Sequence, residues 1–448
     1  MKNKTEYLKS TANNFVFTER PEEILVGFDA TDAWFARHEI VYPRMFTPEG
    51  NALGFKRAGV DAAIALTESL LKEHPEYARG TSFERLLSKV ADELIKAVRI
   101  GTPHEDYDIF KTGIASWFAE EAAPKTHFIP CAVSPNDSRS FHVGPVTFQF
   151  VNGFAAAHQV ESKDEVEKFG YNQILEYAAG QGARWIAQVE TEGYDNERSA
   201  EHADSAVDIA LVALQLFIPP SISKEVARST ARTIPKNINT FKKVGDHLRA
   251  GFTRADPCMS YSGPYFDMIL GKNKAILESV GNRVDAFVKG QSTLVRLDQA
   301  WCDAAYWFHE GISEKLDTVA IAKMETSIEV LLFAQSTSGC KNGLLKVFEV
   351  IYGLTKNQPL RDNDSRTVLS FIDSVVTARS RVLHGTWSTL NYRKPALNER
   401  QHRHEIELLA SDLLARFTLQ LDSYKKTEKP EDNFMKFLDW ISTQKAGM

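Results

Sequence analysis

The chain has 448 residues, and its 53 Lys and Arg against 59 Asp and Glu leave a formal net charge of −6. This length predicts two or three domains, each large enough to bury a core of its own. The near-average hydrophobic and charged content excludes a disulfide-stapled miniprotein, a fibrous repeat and wholesale disorder.

The cellular compartment is predicted from the N-terminus and from the cysteines. The first ten residues, MKNKTEYLKS, are charged and are not followed by an apolar segment, so no secretory signal is expected. The four cysteines stand singly without a CxxC pair, which favours a reducing environment and argues against a zinc site. The most apolar stretch, residues 207–218, is too short and too polar to cross a bilayer. We therefore expect a cytoplasmic protein with no membrane partner, no metal and no cofactor.

Residues 1–285 are predicted to form a mixed α and β region, with a break between two subdomains near residue 122. Residues 55–122 repeat apolar side chains at helical spacing, which predicts two or three helices. Residues 126–133 and 141–151 are rich in β-branched and aromatic side chains and predict a strand pair. The elements expected next are a helix over about 164–179, a strand at 185–189 and a helix over about 199–217.

A basic segment follows at residues 224–254, with eight Lys and Arg against two acidic residues. In a chain of negative net charge, this asymmetry points to a surface for phosphate groups. Lys242, Lys243 and Arg249 are the RNA-binding residues predicted from this segment. The alternative interpretation is a solvated connector, because apart from Phe241 and Phe252 no aromatic residue accompanies the charges to form a platform for base stacking.

Residues 286–425 show a helical pattern throughout. Amphipathic stripes predict helices at residues 295–308, 317–335, 344–354, 366–384 and 405–421. Short loops between amphipathic helices predict an all-α bundle, and residues 426–448 are expected to add a tail helix. The predicted fold class is therefore an α-rich α+β protein, with a mixed N-terminal region followed by an all-α bundle.

The fourth bundle helix carries a polar interruption at its C-terminal end. Arg379 interrupts the apolar stripe, His384 follows five residues later, and Gly385 comes next, which makes an RxxxxH pattern followed by glycine. On a straight helix, five residues correspond to about 140° of rotation and about 7.5 Å of rise, so the two side chains do not share a face. Two such helices packed about a twofold axis can bring both pairs into one cleft.

The RxxxxH pattern at the end of the last long helix before a packing helix resembles the signature of the HEPN superfamily, most closely its Apea-like branch. The stretch METSIEVLL, which contains Glu329, is similar to the early helix of that branch. The aromatic segment WCDAAYWFHEG, residues 301–311, resembles the family as well. The resemblance covers about residues 286–425, and the N-terminal half is more distantly similar to the sensor halves of ApeA-type antiphage proteins.

The resemblance implies a metal-independent endoribonuclease that acts as a homodimer on RNA, in antiphage defence or as a toxin. The products would be a 2′,3′-cyclic phosphate and a 5′-hydroxyl. The implied catalytic residues are His384 for proton transfer, Arg379 for transition-state charge and Glu329 as the partner that orients Arg379. Arg381 and Ser380 are expected to contact the RNA, and the N-terminal region is expected to sense a phage-derived trigger.

Two alternatives remain open at the level of sequence. The first is a non-catalytic HEPN-like bundle that serves for dimerisation or ligand binding, and the second is an RNA-binding regulator that uses the basic segment. A histidine at a helix C-terminus is also favoured there by the helix dipole without any catalysis. His402 and His404 lie two residues apart, a spacing that does not converge on a helix, so they are predicted to be solvated and not metal ligands.

Overall fold

A computed structural model shows how the sequence folds. It describes residues 4–19, 28–100, 107–159, 165–230, 237–254, 261–361, 364–384 and 396–446. The chain divides into two compact units: residues 1–125 with 191–201, and residues 126–190 with 202–448. Helices dominate and the sheets are small, so the predicted α-rich α+β class is confirmed.

The first unit packs helices beside a small sheet. Its elements are α1 (Lys4–Asn13), β1 (Phe15–Thr18), α2 (Phe28–Arg37), β2 (Tyr42–Phe46), β3 (Ala52–Phe55), α3 (Arg57–Glu73), α4 (Pro75–Gly80), α5 (Phe83–Ile100) and α6 (Tyr107–Glu121). The antiparallel sheet has the order β1-β3-β2. Leu66, Leu86 and Ile114 from three of these helices are fully buried in one core, as their helical spacing predicts. The three strands were missed because none exceeds five residues.

A five-stranded sheet and its helices come next along the chain and lie mostly in the second unit. The elements are β4 (Lys125–Ala132), β5 (Phe141–Val143), β6 (Val146–Phe150), α7 (Val151–Gln159), α8 (Glu165–Gln181), β7 (Trp185–Thr191), α9 (Asn196–Gln215), α10 (Pro220–Ser223) and β8 (Ala227–Arg228). The strand order is β5-β6-β7-β4-β8. Aromatic side chains of β5, β6 and β7 form its core, because Phe141 stacks on Phe148 and meets Trp185 edge-on.

The predicted pairing of residues 126–133 with 141–151 is wrong. The second stretch is split at Gly144 into the hairpin of β5 and β6, and β7 lies between β6 and β4. Gly144 has a φ of 60°, which glycine adopts without strain. A Cβ atom at Gly144 would also collide with the main-chain carbonyl of Gly281. A close approach by a distant helix therefore helps to set this turn, and the local sequence does not reveal it.

Next along the chain, β9 (Asn237–Val244) and β10 (His247–Arg254) form an antiparallel hairpin, here called the basic hairpin. Gly245, with a φ of 60°, stands at the two-residue turn between them. The segment predicted as a phosphate-binding surface or a connector therefore contains regular strand structure.

The remaining helices form a bundle, so the predicted bundle character is confirmed. They are α11 (Gly263–Lys272), α12 (Lys274–Lys289), α13 (Val295–Ile312), α14 (Asp317–Leu331), α15 (Thr337–Val347), a π-helical turn at Phe348–Tyr352, α16 (Val368–Leu383), α17 (Ala396–Tyr424) and α18 (Phe434–Ala446). Helix α14 contacts α13, α16 and α17 and is central to the bundle. Helix α12 runs through the boundary predicted at residue 286, and its Val280, Val284 and Val288 are buried in one continuous core.

Within the described ranges, no helix is both long enough and apolar enough to cross a membrane.

Candidate active site

Helix α16 carries the RxxxxH pattern, and its local sequence explains why it forms. The Thr367 hydroxyl accepts a hydrogen bond from the Ser370 N–H (3.2 Å) and caps the first turn. The side chains buried along it recur at three- and four-residue spacing: Val368, Phe371, Ile372, Val375, Val376 and Ala378. Arg379 takes the next position of this stripe and is therefore turned toward the bundle.

The guanidinium of Arg379 meets helix α14. Its Nη1 donates to Oε2 of Glu329 at 2.5 Å. The Glu329 side chain is 16% exposed and that of Arg379 is 42% exposed, so the pair lies at the edge of the bundle with part of the guanidinium open to solvent. The sequence predicted Glu329 as the partner of Arg379, and the structure brings the two side chains together. A charge-assisted bond of this kind restricts the orientation of the arginine fork.

A second carboxyl group, Glu325, lies one helical turn before Glu329 and was not predicted. It is 1% exposed, and its Oε2 accepts a hydrogen bond from the main-chain N–H of Arg379 at 2.5 Å. Burial raises the pKa of Glu325 to about 7, and the negative charge of Glu329 acts in the same direction. The available signal was the four-residue spacing of two Glu residues, which places both on one helix face.

Cys340 of α15 is the third ionisable group beside these carboxylates. It is fully buried, and burial raises its thiol pKa to about 12, with further contributions from the negative charges of Glu329 and Glu325. A thiol in this environment stays protonated near neutral pH and is a poor nucleophile. The groups available for chemistry at this site are therefore the Arg379 guanidinium, the two carboxyl groups and the side chains at the end of α16.

The end of α16 presents the remaining predicted residues to solvent. His384 is the C-terminal cap: its N–H donates to the Ser380 carbonyl (2.9 Å), and its side chain is exposed. Ser380 and Arg381 are exposed as well. The bond from the His384 N–H to the carbonyl four residues earlier keeps the helical relation between Arg379 and His384 up to the helix end, so the two side chains leave different faces. Gly385 lies outside the described residues.

The prediction that His402 is solvated is wrong. It lies on α17, is 9% exposed, and burial lowers its imidazole pKa. The positive charges of Arg381 and Arg366 act in the same direction, while Glu405 opposes them. The reason is that α17 turns this position toward α16, whereas His404, two residues further on, is exposed.

The basic hairpin sorts its side chains onto two faces. Residues paired across an antiparallel ladder share a face, and successive residues alternate. Lys242 pairs with Arg249, which puts two of the predicted RNA-binding residues side by side. Lys243 pairs with Leu248 on the opposite face, near Phe241. All these side chains are exposed, Phe241 by 70% and Leu248 by 74%.

Other cations of the basic segment are not part of this hairpin. Arg228 is half-buried, and its guanidinium pairs with Asp204 (2.6 Å) and Asp208 (2.9 Å) of α9. It therefore fixes β8 to the helix and is unsuited to phosphate binding. Arg232 and Lys236 lie outside the described residues.

Within the part of the chain that the structure describes, no three His, Cys, Asp or Glu side chains are grouped so as to hold a metal ion. Comparisons of this chain with family models, with curated proteins and with solved structures returned no significant match.

Proposed function

We propose that this chain is a metal-independent endoribonuclease of the HEPN type that works as a homodimer. The observation that supports the proposal is the Arg379–Glu329 pair, which holds a half-exposed guanidinium five residues before the exposed His384 at the end of the same helix. The resemblance of the RxxxxH pattern to the HEPN signature points to the same activity. A guanidinium and an imidazole can together carry out RNA cleavage, since RNA supplies its own nucleophile.

The proposed reaction is an internal transesterification. The imidazole of one His384 accepts the proton of the ribose 2′-hydroxyl, and the 2′-oxygen forms a bond to phosphorus. The bond from phosphorus to the 5′-oxygen breaks, and this leaving oxygen takes a proton from the protonated imidazole of the partner subunit's His384. Arg379 stabilises the additional negative charge on the phosphoryl oxygens in the transition state. The products are a 2′,3′-cyclic phosphate and a 5′-hydroxyl.

A dimer follows from the geometry of a single helix. Arg379 points toward α14, and His384 leaves α16 on a different face, so one chain offers its two groups to a phosphate poorly. A second α16 across a twofold axis supplies the complementary group. Adding an excess of His384→Ala chain to wild type, with time for subunit exchange, should then lower the activity per wild-type chain. Activity that is independent of the added chain would indicate that a monomer suffices.

The basic hairpin supports a role in holding the RNA. Lys242 and Arg249 are like charges placed side by side, an arrangement that is unfavourable in the free hairpin and is relieved by an anion. Phe241 on the other face offers a ring on which a base can stack. This surface also supports the second candidate function, an RNA-binding regulator that does not cleave.

The biological setting belongs to the same proposal. We place the activity in the cytoplasm, in antiphage defence or as a toxin, with the N-terminal region responding to a phage-derived trigger. The support is the resemblance of the C-terminal bundle together with the presence of a separate compact unit that can restrain a harmful nuclease. RNA integrity and growth in cells that express wild type or His384→Ala, with and without phage, test this part.

The decisive experiment is cleavage of end-labelled RNA in the presence of EDTA. Arg379→Ala and His384→Ala should each lower the rate by about 100-fold or more. Arg416→Ala and His404→Ala are matched controls, because Arg416 is a half-exposed bundle arginine paired with Asp412 and His404 is an exposed histidine of α17. Mass spectrometry of the fragments should detect the cyclic phosphate. RNA binding without cleavage would favour the regulator instead.

A further inference from the structure

Glu325 stands out as a buried acid that the proposed reaction does not use. It lies beneath the Arg379–Glu329 pair: Glu329 contacts the guanidinium, whereas Glu325 contacts the main chain of the same arginine. Two carboxyl groups on one helix therefore hold one residue of α16 at two points. Glu329 orients the end of the side chain, and Glu325 fixes the position from which the side chain starts.

The charge of this group depends on one proton. With both carboxyls ionised, Glu325, Glu329 and Arg379 carry a net charge of −1, and with Glu325 protonated they are neutral. A phosphate group at the exposed part of the guanidinium adds negative charge to this group of residues, and the carboxyl of Glu325 lies in surroundings from which water is largely excluded. The protonated form of Glu325 is therefore the form that favours phosphate.

The other helices around Glu325 contribute little to this balance. Among the described residues, the charged groups that act on Glu325 are Glu329 of its own helix and Arg379 of α16. From α15 the neighbouring ionisable group is Cys340, whose thiol remains neutral. No described side chain of α13 or α17 contributes to the raised pKa of the Glu325 carboxyl. The proton on Glu325 is thus coupled mainly to the arginine that would bind phosphate.

We propose that Glu325 is a positioning residue for Arg379 and that it takes up a proton from solvent when a phosphate group of RNA binds at the guanidinium. This inference rests on the proposed function only in taking RNA as the ligand. Because linkage is reciprocal, proton binding strengthens phosphate binding by the same factor. RNA affinity should therefore fall as the pH rises above 7, and part of that fall should depend on Glu325.

The experiment measures binding of a short fluorescent single-stranded RNA between pH 5.5 and 8.5. All chains carry His384→Ala, which suppresses cleavage and removes the imidazole from the pH dependence. In this background, the dissociation constant should rise by about five- to tenfold between pH 6 and pH 8. Glu325→Gln, which keeps the acceptor oxygen but cannot ionise, should flatten this rise. Glu349→Gln replaces an exposed glutamate of the same bundle and should leave the rise unchanged.

A role that acts through Arg379 is separated from a purely structural one by a double-mutant cycle. In an Arg379→Ala background, Glu325→Gln should have no further effect on the pH dependence. Parallel pH profiles with and without Glu325→Gln would overturn the inference, as would an effect of Glu325→Gln that persists without Arg379.

If Glu325→Gln does not fold, calorimetry of RNA binding to the His384→Ala chain in buffers of different ionisation enthalpy replaces it. Proton uptake that disappears with Arg379→Ala then supports the inference, and absence of uptake overturns it.

Failure of the inference and failure of the proposed function have different signatures. If the wild-type chain cleaves RNA and the pH profiles do not depend on Glu325, the proposed role of Glu325 is wrong and the proposed nuclease activity stands. If the pH dependence of RNA binding depends on Glu325 but the wild-type chain does not cleave RNA, the proposed nuclease activity is wrong and the proposed role of Glu325 stands. Absence of RNA binding at every pH overturns both.

Discussion

Glu325 and Arg379 are joined by a hydrogen bond from the main-chain N–H of Arg379 to a carboxylate oxygen of Glu325, at 2.5 Å. This contact ties the centre of the bundle to the helix that carries the RxxxxH pattern. It joins a buried acid to the residue that we propose stabilises the transition state. A change in the charge of Glu325 is therefore expected to alter both the stability of the bundle and its binding of phosphate.

The first prediction concerns stability and pH. The carboxyl of Glu325 has its pKa raised from an ordinary 4.5 to about 7, so the folded chain binds this proton more tightly than the unfolded chain does. The stabilisation is complete below pH 4.5 and is lost as the pH rises through 7. At pH 8, Glu325→Gln should be more stable than wild type by up to about 3 kcal/mol, and the difference should fall to about 1 kcal/mol or less at pH 5. Urea unfolding at both pH values measures it, and an equal effect at both would contradict it.

The second prediction separates activity from stability at Glu329. Because Arg379 is 42% exposed, the ion pair should contribute about 1 kcal/mol or less to the free energy of unfolding. Glu329→Gln should nevertheless lower the cleavage rate by about tenfold or more, since the guanidinium loses its orientation. Rate and urea midpoint are measured on the same sample, with Glu349→Gln as the control. Unchanged cleavage with an unchanged midpoint would show that Glu329 does not position Arg379.

The third prediction concerns a buried ion network that holds α12 in the bundle. Arg283 is fully buried and pairs with Asp298 of α13 (3.1 Å) and with Asp422 of α17. Lys425 also pairs with Asp298 (2.6 Å). Arg283→Ala should lower the free energy of unfolding by about 3 to 5 kcal/mol, because it removes the buried guanidinium that pairs with both carboxylates and leaves Asp298 with Lys425 alone. Arg416→Ala, which breaks a half-exposed pair, should cost about 1 kcal/mol or less. Equal losses for the two variants would argue against the network.

The fourth prediction concerns the basic hairpin and salt. Lys242→Gln with Arg249→Gln should weaken the binding of single-stranded RNA and reduce the slope of log K against log salt by about 1.4, the value expected for two lost phosphate contacts. Lys274→Gln removes an exposed lysine of α12 and should leave the slope unchanged. Fluorescence anisotropy at several salt concentrations gives both slopes. If the double variant keeps the wild-type slope, the basic hairpin does not contact the phosphates of RNA.

Much of the helical structure follows from local sequence pattern. The apolar spacing within α13, α14, α16 and α17 predicted each helix, and the polar residue at the end of the α16 stripe identified Arg379. These features depend on residues one to four positions apart, which are neighbours in any helix. The RxxxxH pattern and its place at a helix end were visible in the sequence for the same reason.

Long-range contacts decided the rest. The sheet order β5-β6-β7-β4-β8 places a strand between the two stretches that the sequence predicted to pair. Arg228 is committed to Asp204 and Asp208, and His402 is turned into the bundle, although both have the sequence context of exposed residues. Such outcomes depend on which distant surfaces pack together, and no local period encodes that choice.

The candidate site shows both contributions within two helices. Sequence alone determined that Arg379 and His384 lie at the end of one helix, and that Glu325 and Glu329 share a face of another. Only the tertiary structure decided that the two faces meet, that Glu329 reaches the guanidinium, and that Glu325 is buried against the main chain of Arg379. The physical reason is that covalent neighbours set the direction of a side chain, whereas burial and charge pairing arise only when distant helices pack.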